Sequence, residues 1–157
     1  MKGKGRKGKT QAATIAELLE TLKGREVPVL SQGSSLEEAI HMMARFPHSR
    51  LLYVVDGKGR LTGTVSLATL VRHVFFRSHE PQIHPRFLIN AIVTEAVVDI
   101  MERHPISATG EEDVEAVLKR MIEKNVNEIA ALDTEKRLIG DITMIDLLAF
   151  LIARRED

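Results

Sequence analysis

The chain has 157 residues, 44% of them hydrophobic, and balances 22 basic against 22 acidic side chains, enough apolar content for one sizeable core or two small halves sharing an interior. Cysteine is absent, which excludes disulfides, thiolate metal sites and sulfur redox chemistry and makes a cytoplasmic setting the simpler expectation. No apolar run approaches the roughly 18 to 20 residues of a membrane span, and the N-terminus lacks the apolar stretch of a signal peptide, so no membrane span is expected.

The zero formal charge hides an asymmetry. Lys2, Lys4, Arg6, Lys7 and Lys9 form a glycine-rich basic tail over residues 1–10, which reads as disordered. With those five set aside, 17 basic residues face 22 acidic ones, and an acidic body is a poor nucleic-acid binder. The tail reads as a solvated extension; contact with an anionic surface is the alternative. After it, Ile15, Leu18, Leu19 and Leu22 mark an amphipathic helix within residues 11–24 that ends near Gly24.

From there the chain repeats itself. Landmarks of a first unit, residues 25–75, recur in a second, residues 96–153, at an offset of 77 or 78 positions. Leu36, Ala39, Ile40 and Met43 follow the i, i+3, i+4, i+7 spacing of one helical face, and Val114, Val117, Leu118 and Met121 repeat it. Ser35 with Glu38, and Thr109 with Glu112, fit a capping box at the two helix starts. The apolar runs 51–55 and 128–132 then predict buried strands, and the turn residues at 56–59 and 133–136 predict hairpins to strands at 61–66 and 138–143. Helical stretches at 68–75 and 145–153 close the units. The expected fold is α+β, each unit running strand, helix, strand, strand, helix, and the two packing sheet against sheet because neither can bury its own apolar faces. Residues 76–95, with Pro81 and Pro85, form a long connector, and 154–157 a short C-terminal tail.

The segment Gly140-Asp141-Ile142-Thr143-Met144-Ile145-Asp146 resembles the signature of cystathionine-β-synthase (CBS) domains: glycine, any residue, an aliphatic, Thr or Ser, two spacers, then Asp. It lies at a strand-to-helix junction, as does its counterpart in the first unit, and the likeness extends over residues 25–153. The resemblance implies a pseudo-symmetric CBS pair, a non-enzymatic regulatory module sensing energy state or a metabolite by binding AMP, ADP, ATP or S-adenosylmethionine. It also implies a homodimer and a regulated effector protein. Asp146 would accept hydrogen bonds from a ribose diol, Thr143 with nearby amides would receive a phosphate, and Gly140 would let backbone and ligand approach. By the same resemblance, adenine would lie between Ile106–Thr109, including Ser107, and the strand around Ile129 and Ala130, with Ile142 beside it. Thr143 and Asp146 also satisfy ordinary helix capping, which is the plainer reading of the two residues alone.

In the first unit, Gly63-Thr64-Val65-Ser66-Leu67-Ala68-Thr69 keeps the glycine and the hydroxyl but puts Thr69 where the carboxylate belongs. Gly63, Val65, Ser66 and Thr69 would therefore build only a weak or empty site, with Tyr53 partly filling its pocket.

Other constellations carry less. His73, His79 and His84 fit no zinc spacing and read as surface histidines. The acidic cluster Glu111, Glu112, Asp113 and Glu115 reads as first-turn residues of a helix, with cation binding the alternative. The run 52–61 is also similar to the cytosolic CBS pair of magnesium transporters, which keeps open a divalent-cation-sensing or purely protein-interacting module. No nucleophile motif, P-loop or paired metal-ligand spacing is present, so neither an enzyme nor a metal site is expected.

Overall fold

The computed structural model describes residues 12–78 and 95–155. The basic tail 1–10 and most of the connector, including His79, Pro81, His84 and Pro85, lie outside the described residues.

The first helix, α1 (Ile15–Thr21), starts at Thr14, whose hydroxyl accepts from the Glu17 amide while the Glu17 carboxylate accepts from the Thr14 amide, a reciprocal box that satisfies two orphan donors. Past its end, Gly24 takes φ +89°, a left-handed turn that glycine adopts without strain. The first unit follows as β1 (Val29–Ser31), α2 (Leu36–Arg45), β2 (Leu51–Val55), β3 (Leu61–Ser66) and α3 (Leu67–Ser78). The second is β4 (Ser107–Thr109), α4 (Val114–Glu123), β5 (Glu128–Leu132), β6 (Leu138–Thr143) and α5 (Met144–Arg155). Each sheet has three strands, the first parallel to the second and the second antiparallel to the third. Both hairpins carry an irregularity near their turns, at Val54/Val55 and Ala131/Leu132, so the repeat extends to the ladder's defects.

Two cores result. One gathers Leu36, Ala39, Leu52, Val54 and Val65; the other Val114, Val117, Met121, Ile129 and Ile142. Each is completed by the segment that precedes the opposite unit. Ile15 and Leu18 of α1 pack into the second core, while Val97 and Met101, from a 3₁₀ turn at Val97–Asp99, pack into the first. Main-chain bonds fix both exchanges: the amides of Ile15 and Ala16 donate to Glu112 and Gly110 carbonyls (both 2.9 Å), and those of Leu36 and Val97 pair with Glu95 and Ser34 carbonyls (both 2.9 Å). The segment 97–101, assigned from sequence to the second unit, thus belongs physically to the first.

Between the sheets, Tyr53, Ala130 and Leu132 form a third apolar cluster flanked by Val27, Leu51, Leu61 and Leu138. Tyr53 is fully buried, its hydroxyl donates to the Ile129 carbonyl at 3.3 Å, and burial drives its pKa upward. Tyr53 therefore cements the two units and does not fill a pocket, contrary to expectation; Ala130, expected at a pocket wall, meets it there.

One cap also differs from the sequence reading. Ser35 and Glu38 form the expected box at α2, but α4 begins at Asp113, whose carboxylate accepts from the Ala116 amide at 3.2 Å. Thr109 instead ends β4. Its amide donates to Glu112 at 2.8 Å, and Glu112 pairs with Arg120 at 2.7 Å, so the polar residues 109–112 build a turn before the helix.

Candidate functional site

The strand-to-helix junctions β3–α3 and β6–α5 are built alike. The first helical amides Leu67 and Met144 donate to the carbonyls of Arg50 (2.9 Å) and Asn127 (3.0 Å), anchoring each junction beside the start of its neighbouring strand. At the second junction the Thr143 hydroxyl accepts from the Asp146 amide (3.2 Å), and Asp146 accepts from the Thr143 amide (2.8 Å). At the first, the Ser66 hydroxyl accepts from the Thr69 amide (3.0 Å) and donates to the Thr69 hydroxyl (2.9 Å). The two motifs make the same cap, one with a carboxylate and one without.

Their surroundings differ sharply. The first junction opens onto a cleft of about 960 Å³ between the units. Arg50, Leu51, Thr64, Ser66, Leu67, Ala68, Val71 and Arg72 line it from the first unit, and His104, Pro105, Ile106, Lys124, Val126, Asn127, Glu128 and Ile129 from the second. That volume falls in the roughly 300–1,000 Å³ range of small-molecule sites. Arg50, Arg72 and Lys124 bring positive charge and form no ion pair among the described residues. Of the two carboxylates present, Glu128 accepts from the Ser49 hydroxyl (2.8 Å) and the Arg50 amide (2.9 Å), and Glu102 accepts from the His104 amide (3.2 Å).

The second junction faces a pocket of about 370 Å³ lined by Leu19, Lys23, Gly24, Arg25, Val27, Gly110, Gly140 and Asp141, among others. Here α1 lies against the motif, with Leu19 in near contact with Gly140. Arg25 reaches in with its whole fork. Nη1 and Nη2 donate to the two Asp146 oxygens at 2.9 and 2.8 Å, Nε to Asp141 Oδ1 at 3.2 Å, and Nη2 also to the Asp141 carbonyl at 2.7 Å. Burial alone would raise the Asp146 pKa, yet the Arg25 hydrogen bonds and the Thr143 amide hold it below the usual carboxylate range. Asp141 is more deeply buried, and desolvation leaves its pKa raised despite the Arg25 charge. The Arg25 guanidinium is held charged, chiefly by its bonds to Asp146.

The residues expected around one second-unit ligand are therefore divided. Gly140 lines the smaller pocket and Thr143 and Asp146 cap the helix at its junction, whereas Ile106 and Ile129 line the larger cleft with Ser66. The segment before each first strand crosses to the other unit's motif, as the exchanged cores require. Ser107 and Thr109 serve the β4 turn, the Ser107 carbonyl accepting from Arg120 at 2.7 Å. Ile142 and Val65 are fully buried in the two cores, and Gly63 is packed against Met101 and the Glu102 carbonyl. Arg25 and Asp141 were not singled out from the sequence. Asp141 occupies the signature's free position, and the Arg25 contacts span 116 and 121 residues, beyond any local pattern. Among the described residues, no group of three or more His, Asp or Glu side chains converges as a metal site, and no helix is long and apolar enough to cross a membrane.

Comparison with known proteins places these junctions in context. The family model of the CBS domain matches twice, over residues 19–75 and 97–153. The magnesium transporter MgtE of Thermus thermophilus is 29% identical over 132 residues, 82% of this chain but 25% of the transporter, so the chain spans a quarter of that relative's length. Among solved structures, the cytosolic domain of the Mg²⁺ channel MgtE in complex with ATP is 27% identical with a TM-score of 0.57, covering 78% of this chain and 44% of that one. A CBS domain pair in complex with 5′-methylthioadenosine and S-adenosyl-L-methionine is 19% identical with a TM-score of 0.67, covering 91% and 98% of the two chains, a likeness of fold.

Proposed function

The chain belongs to the CBS domain family, whose paired repeats act as regulatory modules, and from that premise we propose that it senses an adenine nucleotide in the cleft between its units. The observation that carries the reading is the cleft of about 960 Å³ at the first junction, with apolar walls and three cations that form no ion pair among the described residues. Leu67, Val71, Ile106, Val126 and Ile129 offer apolar surface to a base, and Arg50, Arg72 and Lys124 offer charge to phosphates. Thr69 brings no carboxylate, so the ribose hydroxyls would turn to Glu102 or Glu128 across the cleft. The complexes of related CBS pairs with ATP and S-adenosyl-L-methionine support the ligand class. Because the walls come from both units, a ligand would favour one relative arrangement of them, which a second copy or an effector protein could read.

Calorimetric titration with AMP, ADP, ATP and S-adenosylmethionine tests this. One of them is expected to bind, and Ala68→Trp, which fills the cleft from an exposed position, is expected to abolish binding. Silence of the intact protein toward all four at millimolar concentration would refute the nucleotide reading and favour a cation-sensing or protein-interaction role.

A further inference from the structure

The two junctions form a natural experiment within one chain. Strand β1 starts at Val29 and β4 at Ser107, so Arg25 and Arg103 hold equivalent places, each four residues ahead of its strand. Arg25 meets Asp141 and Asp146, folds inward and makes four hydrogen bonds. The first junction has Thr64 and Thr69 at the positions of Asp141 and Asp146, and Arg103 donates instead to the Val98 carbonyl of its own segment at 3.1 Å from an exposed position. The junction with the aspartates is thus bridged by an arginine, and the one without them is not.

We propose that Arg25 decides how many ligands the module takes: its guanidinium occupies the Asp146 carboxylate that a ribose diol would need, leaving one open cleft. The inference rests on the nucleotide reading above. The competition follows from acceptor capacity. Asp146 gives one oxygen to Nη1 and the other to Nη2 and the Thr143 amide, so three of its roughly four acceptor sites are taken, two of them by the fork. A ribose diol and a bidentate guanidinium ask for the same two oxygens, and the arginine is tethered in place by the turn at Gly24 and by Leu19 against Gly140. Nucleotide can enter the second pocket only by displacing Arg25 together with the end of α1.

Titration with ATP of the full chain, Arg25→Ala, Arg25→Gln and the double variant Arg25→Ala/Asp146→Asn tests this, with melting curves to establish folding. The expected stoichiometry is one nucleotide per chain in the unmodified protein, two in either Arg25 variant and one again in the double variant. Two nucleotides in the unmodified protein, or one in both folded Arg25 variants, would overturn the proposal while leaving the nucleotide reading intact. None in the unmodified protein but one in the Arg25 variants would uphold the role of Arg25 and sink the open-cleft reading. None in any variant would sink both.

Discussion

Gly63 and Gly140 hold the same place in the two motifs, yet they are constrained by different neighbours. A Cβ on Gly63 would meet Met101 Sδ at 2.6 Å and the Glu102 carbonyl oxygen at 2.7 Å, and that carbonyl is fixed by a main-chain bond to Thr64. A Cβ on Gly140 would meet only the Leu19 methyl, at 3.3 Å. Gly63→Ala is therefore expected to cost about 2 kcal/mol or more, as overpacking against backbone does, and Gly140→Ala less than about 0.5 kcal/mol. Urea denaturation of both variants checks the order, and equal costs would contradict it. Glu112 provides a pH-dependent counterpart. The Arg120 hydrogen bond leads, burial opposes it and the Thr109 amide assists, leaving its pKa lowered. A carboxylate depressed on folding contributes stability above its ordinary pKa of about 4.3 and loses it as pH falls through the folded value. Glu112→Gln is expected to cost about 1 kcal/mol at neutral pH, a figure reduced for its partial exposure, and progressively less as pH falls below the ordinary carboxylate range, by denaturation over a pH series.

At the scale of elements, the hairpins 51–66 and 128–143 were legible to the residue because apolar runs and turn residues act locally. The α4 cap was not. Thr109 with Glu112 matches the capping-box pattern as well as Ser35 with Glu38 does, but Arg120 recruits Glu112 from two turns into the helix, and Asp113 takes over the cap. Asp113→Ala should accordingly cost about 1 kcal/mol and Thr109→Ala under about 0.5 kcal/mol in thermal or urea unfolding. The reverse order would restore the sequence reading. At the first junction, Thr69→Asp would supply the missing carboxylate and is expected to tighten nucleotide binding in that cleft about tenfold or more, read by calorimetry.

Over the whole molecule, the repeat and its pseudo-symmetry were visible in the sequence, whereas the exchange of leading segments was not. Periodicity reports which face of α1 or of 97–101 is apolar and is silent on which core that face enters. That exchange sets Ile106 in one cleft with Ser66 and Arg25 against Asp146, so the composition of both pockets depends on it. The units are held together by Tyr53 and by the amides of Leu61 and Leu138, which donate to the Lys136 and Gly59 carbonyls at 3.0 Å. Truncating the fully buried Tyr53 to Ala is expected to cost about 3–5 kcal/mol and to weaken nucleotide binding, since both cleft walls lose their mutual anchor, whereas Tyr53→Phe should cost about 1 kcal/mol. Amide chemical-shift mapping during an ATP titration tests most directly where the nucleotide binds. The shifts are predicted to gather at Ser66, Leu67, Ala68, Ile106 and Asn127 and to spare Gly140 through Asp146; shifts centred on 140–146, or none at saturating ATP, would contradict it.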